Sequence, residues 1–173
     1  VAATQALLAE EGIDYADRHT LAVKDVRGLR FGFLAFNGVG EPFDQELVRR
    51  RIEEARQQAD VLVAAFHWGG EYVSIPQAAG AVAPDDPVEI AHLAIDVGAD
   101  LVLGNHPHWV QAVEVYQGKL IAYAHGNFIF DQMWSRETSL GVVGRYTFYG
   151  DRLLGAEFLP VVIENYARPR LLE

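Results

Sequence analysis

Apolar and polar positions fall into two alternating periods along the first hundred residues. Residues 1–12 carry Leu7, Leu8 and several alanines and stop at Gly12, which predicts a short helix closed by a C-cap glycine. Leu21 to Val26 and Leu29 to Phe36 are apolar-rich runs around Arg27-Gly28 and predict a hairpin or two adjoining strands. Asn37 to Pro42 reads as a loop. Asp44 then caps a helix through about Gln58, with Leu47, Val48, Ile52 and Ala55 on one face and arginines and glutamates on the other. Val61 to Phe66 is apolar without interruption, as expected of a central parallel strand covered on both faces. Residues 73–87 hold Pro76, Pro84 and Pro87 and read as irregular. Pro87 to Val97 predicts a helix ending at Gly98, and Leu101 to Leu103 a second buried strand.

The order helix–strand–helix–strand from 44 to 103 predicts an α/β layer structure. The pattern then changes. Val110 to Tyr116 and Lys119 to Tyr123, around Gln117-Gly118, predict one hairpin. Residues 141–149 and 152–163, around Gly150-Asp151, predict another. A parallel part is thus followed by an antiparallel one. There is no internal repeat, and no shift in composition marks a boundary, so residues 1–173 read as one domain.

Composition narrows the function classes. The chain has 24 acidic and 14 basic residues, for a net charge of −10. Such a surface repels nucleic-acid backbones and anionic membranes unless a local positive centre overrides it, so no nucleic-acid partner is expected. No run of 18 apolar residues is present, so no membrane span is expected. There is no cysteine, which excludes disulfides, thiolate ligands and a cysteine nucleophile. Phosphate-binding and nucleophile-elbow motifs are lacking.

The candidate chemistry lies at two strand ends. His67 follows the run 61–66, and His106 and His108 follow 101–103. Ligands of open α/β sheets bind beyond the carboxyl ends of the strands, so the three imidazoles are expected on one edge. In an extended loop, an H-x-H pair turns both rings to one side, and Pro107 stiffens it. Neutral imidazole suits zinc, iron, manganese or nickel. The same pair could equally be two hydrogen-bonded or surface histidines. Glu71, Asp131 and Asp100 are the nearby carboxylates; Asp100 precedes its strand and is expected at the wrong end, in a cap or turn. Asn105 and Asn127 could donate to an anion or cap turns, and His125 could line the site. Trp68 and Tyr72 would form an apolar wall, or simply core. His19 and His92 read as solvated or packing residues.

Three segments occur in order: His67-Trp68-Gly69-Gly70-Glu71-Tyr72, then Gly98 through His108, then Tyr123 through Gly126-Asn127-Phe128-Ile129-Phe130-Asp131. Together they resemble the bacterial capsule synthesis protein CapA family, associated with poly-γ-glutamate capsule biosynthesis, a branch of the calcineurin-like metallophosphoesterases. The resemblance covers most of the chain. It implies a four-layer α/β/β/α sandwich with His67, His106 and His108 as ligands of divalent metal ions (manganese, zinc or iron). It places Gly104 at the opening of the last ligand loop and assigns Asn127-Phe128 to a Gly-Asn-Phe motif of unstated role. It leaves Glu71, Tyr72, Asn105, His125, Asn127 and Asp131 as substrate or outer-shell candidates. It further implies an anionic polymer or phosphoester substrate and a cell-envelope or extracellular protein.

The family's earlier motifs, a Gly-Asp near the first strand, an acidic residue in a following loop and an Asn-Asn-His with a nearby aspartate, are missing here. The chain therefore reads as the C-terminal part of such a domain, with N-terminal strands missing and metal binding at most weak. Ala124-His125 also stands where the family more often has Ser-Leu. Two functions fit: a metal-dependent hydrolase, or a non-catalytic envelope or polymer-assembly component that keeps the fold.

Overall fold

The computed structural model describes residues 2–172. Six strands form the central sheet: β1 (Ala22–Val26), β2 (Leu29–Asn37), β3 (Val61–His67), β4 (Leu101–Asn105), β5 (Val113–Tyr116) and β6 (Lys119–Ala122). Across the sheet they run β1-β2-β3-β4-β6-β5. The inner four are parallel and the two edge strands antiparallel. A separate antiparallel sheet holds β7 (Leu140–Tyr149), β8 (Arg152–Glu164) and β9 (Arg168–Leu171).

Three helices accompany the strands: α1 (Ala2–Glu10), α2 (Gln45–Arg56) and α3 (Pro87–Asp96). Asp44 starts α2 by accepting from Leu47 N at 2.9 Å, and Val48, Ile52 and Ala55 form its buried stripe. Asp86 caps α3 in the same way, with Pro87 in the first turn, where a missing N–H costs nothing. The path β2-α2-β3-α3-β4 moves one way across the sheet. Right-handed crossovers then put both helices on one face. They cover Leu34, Phe36, Leu62, Ala64, Phe66, Val102 and Ile121, which form the main core with them. Burying a side chain such as Ile52 contributes about 1.5–3 kcal/mol.

The other face of the central sheet meets β7–β9. Phe31 and Phe148 touch edge to face at 5.4 Å, and Val142 N donates to His125 O at 2.8 Å. A cleft of about 800 Å³ opens between the sheets, lined by Phe31, Phe33, Leu103, Tyr146 and Phe148 among others. The described residues thus stack helices, a mixed sheet and a second sheet, three successive layers of the expected sandwich.

Several details depart from the sequence reading. β4 runs two residues further, through Asn105, and β5 starts at Val113 and not at Val110. β9 lies outside the sequence expectation: the turn before it uses Asn165 and Tyr166 at φ 50° and 67° with no glycine to signal it. The helix α1 buries none of its residues. A Gln5–Asp17 hydrogen bond of 2.7 Å ties it to the following loop.

Gly104 has a different reason from the one its motif suggests. A Cβ there would lie 2.0 Å from Tyr123 O and 2.4 Å from Trp68 Nε1. The buried Trp68 indole crosses this position to donate to Tyr123 O at 3.0 Å. Trp68 is therefore core, stacked on Phe66 at 4.8 Å.

Candidate functional site

The site is built at the carboxyl edge of the central sheet. Register places Asn37, His67 and Asn105 side by side at the ends of β2, β3 and β4. Two loops then fold over this row. Trp68 N donates to Asn105 O at 3.1 Å, and Tyr72 N to Pro107 O at 2.9 Å, which knits the segment after β3 to the segment after β4. A cavity of about 260 Å³ lies between them, lined by His67, Asn105, His106, His108, Asn127 and Phe130 among others.

The two rings of the H-x-H pair do converge, with centroids 6.1 Å apart, and His106 lies 4.7 Å from His67. The backbone that achieves this is not the extended one expected. His106 sits at φ 106° and His108 at φ 61°. Positive φ is costly for residues with a Cβ and concentrates at functional sites when a turn does not demand it. Among the described non-glycine residues, Arg27, Gln117, Asn165 and Tyr166 take it in hairpin turns, whereas Tyr72, His106 and His108 take it around this cavity.

His106 carries the most informative atom. Its side chain is 8% exposed, and its Nε2 is buried without a hydrogen-bond partner. Glu71 Oε1 stands 4.0 Å from that nitrogen and 3.7 Å from His108 Nε2. Loss of water lowers the His106 pKa; Glu71 opposes the shift and His108 adds to it. His67 is lowered as well, first by the water that its neighbours displace and then by His106 and His108. Both shifts favour the neutral form that metal ligation needs. His108 is clamped by packing, stacked on Tyr72 at 5.6 Å and against Phe130 at 5.0 Å. Its Nδ1 lies 2.8 Å from Asn127 Oδ1.

An unpartnered buried imidazole nitrogen beside a carboxylate, with two more imidazoles near, fits a divalent ion in donor type. The fit is loose: among the described residues no three His, Asp or Glu side chains are already gathered to hold a metal ion.

The remaining sequence candidates divide. Asn105 and Asn127 line the cavity, while Glu71 and Tyr72 do not line it but meet its histidines, Glu71 near the His106 and His108 Nε2 atoms and Tyr72 stacked on His108. His125 is not among the residues that line the cavity. Its Nε2 meets Tyr146 OH at 2.7 Å, and it packs on Phe158, so it bridges the two sheets. Burial lowers the pKa of His125 and pushes Tyr146 up to about 12. Asp131 is exposed and is likewise outside the cavity lining. Asp100 lies at the amino edge, the wrong end, as a buried ion pair with Arg56 and Lys119 rather than a cap. His92 stacks on Tyr116 at 3.8 Å and bonds to Glu114.

Sequence reasoning missed Asn37, Phe130, Gln132 and Trp134. Gln132 donates to Tyr72 OH at 3.1 Å, and Trp134 meets Tyr72 edge to face at 4.8 Å. A signal for them exists: Phe128, Ile129, Phe130 and Trp134 crowd an irregular, exposed segment where a solvated loop would be polar.

The profile of the family described as bacterial capsule synthesis protein PGA_cap matches residues 9–132, which contain every histidine of the site. The chain belongs to this family. A relative, the PGA biosynthesis protein CapA of Bacillus subtilis (strain 168), is 37% identical over 124 residues, covering 72% of this chain and 31% of that protein. The chain spans about a third of the length of such CapA relatives. Among solved structures, a hypothetical protein of Thermus thermophilus matches with TM-score 0.56 at 15% identity, over 81% of this chain and 60% of that one. A phosphatase of Mycoplasma pneumoniae matches with TM-score 0.53 at 12% identity, over 82% of this chain and 57% of that one. At such identities the likeness concerns the fold alone. Among the described residues, no helix of this PGA_cap chain is long and apolar enough to cross a membrane.

Proposed function

We propose that this chain supplies histidine ligands to a metal-dependent hydrolase site of phosphoesterase type, in an envelope protein of capsule or poly-γ-glutamate biosynthesis. The observation that carries this reading is His106 Nε2, buried and unpartnered between two further imidazoles and a carboxylate. His67, His106 and His108 would hold a divalent ion (manganese, zinc or iron) through ring nitrogens. Glu71 would offset part of its charge. Such an ion supplies Lewis-acid polarisation of a phosphoryl or carbonyl oxygen. Tyr72 and Phe130 wall the His108 ring and limit water at it. The chain's net charge of −10 opposes an anionic polymer or phosphoester at long range, so the local positive field would have to come from the ion.

The test is hydrolysis of a generic phosphodiester and of poly-γ-glutamate with added manganese or zinc. We expect turnover that a chelator abolishes. His106→Ala should cost more than the roughly 10–100-fold typical of an outer-shell partner. Turnover indifferent to both contradicts the proposal.

A second reading keeps the fold and metal without catalysis, as an assembly or binding component. The looseness of the donor set and a single neighbouring carboxylate, Glu71, among the described residues favour it. Full metal occupancy without turnover, and polymer binding retained in His108→Ala, would support this alternative.

A further inference from the structure

The sequence offered Asn127 as a donor to an anion or as a turn cap. We infer that Asn127 fixes the tautomer of His108, so that His108 carries its proton on Nδ1 and presents a bare Nε2 to the cavity. Asn127 is 6% exposed, and its amide has three partners. Nδ2 donates to the carbonyl of Thr138 at 2.9 Å and faces Gln132 Oε1 at 3.3 Å. Oδ1 faces His108 Nδ1 at 2.8 Å.

A carbonyl oxygen can only accept, so the Thr138 contact settles which end of the amide is which. Flipping the amide would set Oδ1 against Thr138 O, two acceptors at hydrogen-bond distance, with no donor between them. Oδ1 therefore faces His108, and only a protonated Nδ1 satisfies it. Nε2 is then left with its lone pair, 3.7 Å from Glu71 Oε1.

The anchor is itself rigid. Thr138 is fully buried in a 3-10 turn, Glu137–Ser139, and its N–H donates to Ser135 Oγ at 3.1 Å. Gly141 lets the next strand pass: a Cβ there would fall 1.9 Å from Asn127 O. Tyr72 and Phe130 stop the His108 ring from turning away. The chain of control runs from the turn, through Asn127, to the far nitrogen of His108. Asn127 is a positioning residue. Its consequence for metal rests on the reading of His108 as a ligand; the tautomer does not.

The test is long-range 1H–15N correlation on the chelator-treated protein at a pH where His108 is neutral, with zinc titration alongside. The wild type is expected to show a protonated-type Nδ1 and a bare Nε2. Asn127→Ala should give a mixed or reversed tautomer and bind zinc about 10-fold more weakly, the lower end of outer-shell losses. Should Asn127→Ala fail to fold, the wild-type spectrum still decides. A wild-type ring protonated on Nε2, or an unchanged pattern in folded Asn127→Ala, overturns the inference. The expected tautomers with no zinc bound by the wild type support the positioning role and count against the metal reading.

Discussion

The two ends of one strand treat buried polar atoms in opposite ways. At the amino edge, just before β4, Asp100 is 5% exposed and fully engaged: it accepts from Leu62 N at 2.9 Å, Arg56 at 2.6 Å and Lys119 at 2.6 Å. At the carboxyl edge, just after β4, His106 Nε2 is as hidden and has no partner. Burial without partners costs free energy, so folded chains avoid it. A satisfied buried charge reads as architecture. An unsatisfied polar atom, beside three residues of positive φ, reads as a place where the fold gives up stability for binding.

The contrast can be broken by substitution, and the largest effect is expected between the two ends. Gly104→Ala should cost about 3–5 kcal/mol, because overpacking and the loss of the buried Trp68–Tyr123 hydrogen bond add together. Denaturant unfolding measures it, and a cost below about 1 kcal/mol, on the scale of a tolerated core swap, would show that the indole does not need this path. Asp100→Ala should cost about 2–3 kcal/mol, because the Leu62 N–H loses its acceptor while Arg56 and Lys119 turn partly to water.

Next comes the response to acid. Burial lowers the His125 pKa below the usual 6.5, so the native state takes up fewer protons than the unfolded chain as pH falls through that range. Stability should therefore drop as pH falls below 6.5. His67 and His106, lowered too, act in the same direction. A series of unfolding curves should show a shallower pH dependence in His125→Gln; an unchanged slope would remove His125 from this account. The smallest effect is expected at the site itself. His106→Leu should cost no more than about 0.5 kcal/mol and is expected to hold or raise stability, since the buried nitrogen it removes has no hydrogen bond to lose. A large loss would mean that His106 is architecture after all.

Much of the fold could be read from the chain. The apolar run 61–66, the capped helix after Asp44 and the turns at Arg27-Gly28 and Gly150-Asp151 are local signals, and each element forms where they stand. β9 escaped because its turn has no glycine. The edge placement of His67, His106 and His108 followed from strand ends alone. Their convergence through left-handed backbone did not, because φ at His106 is set by contacts such as Tyr72 N to Pro107 O, made between loops far apart in sequence. Asn127 and Thr138 meet through a loop with no regular period, so no pattern announces them. His125 shows the converse: it neighbours the site in sequence and serves the sheet interface in space.

The central claim is that the carboxyl edge is the binding end of this sheet. The most direct measurement is the thermal unfolding midpoint with excess zinc or manganese, in wild type and in His106→Ala. A ligand that binds the native state raises the midpoint. The account predicts a small, saturable rise in the wild type that His106→Ala abolishes. No rise, or the same rise in both proteins, would contradict it.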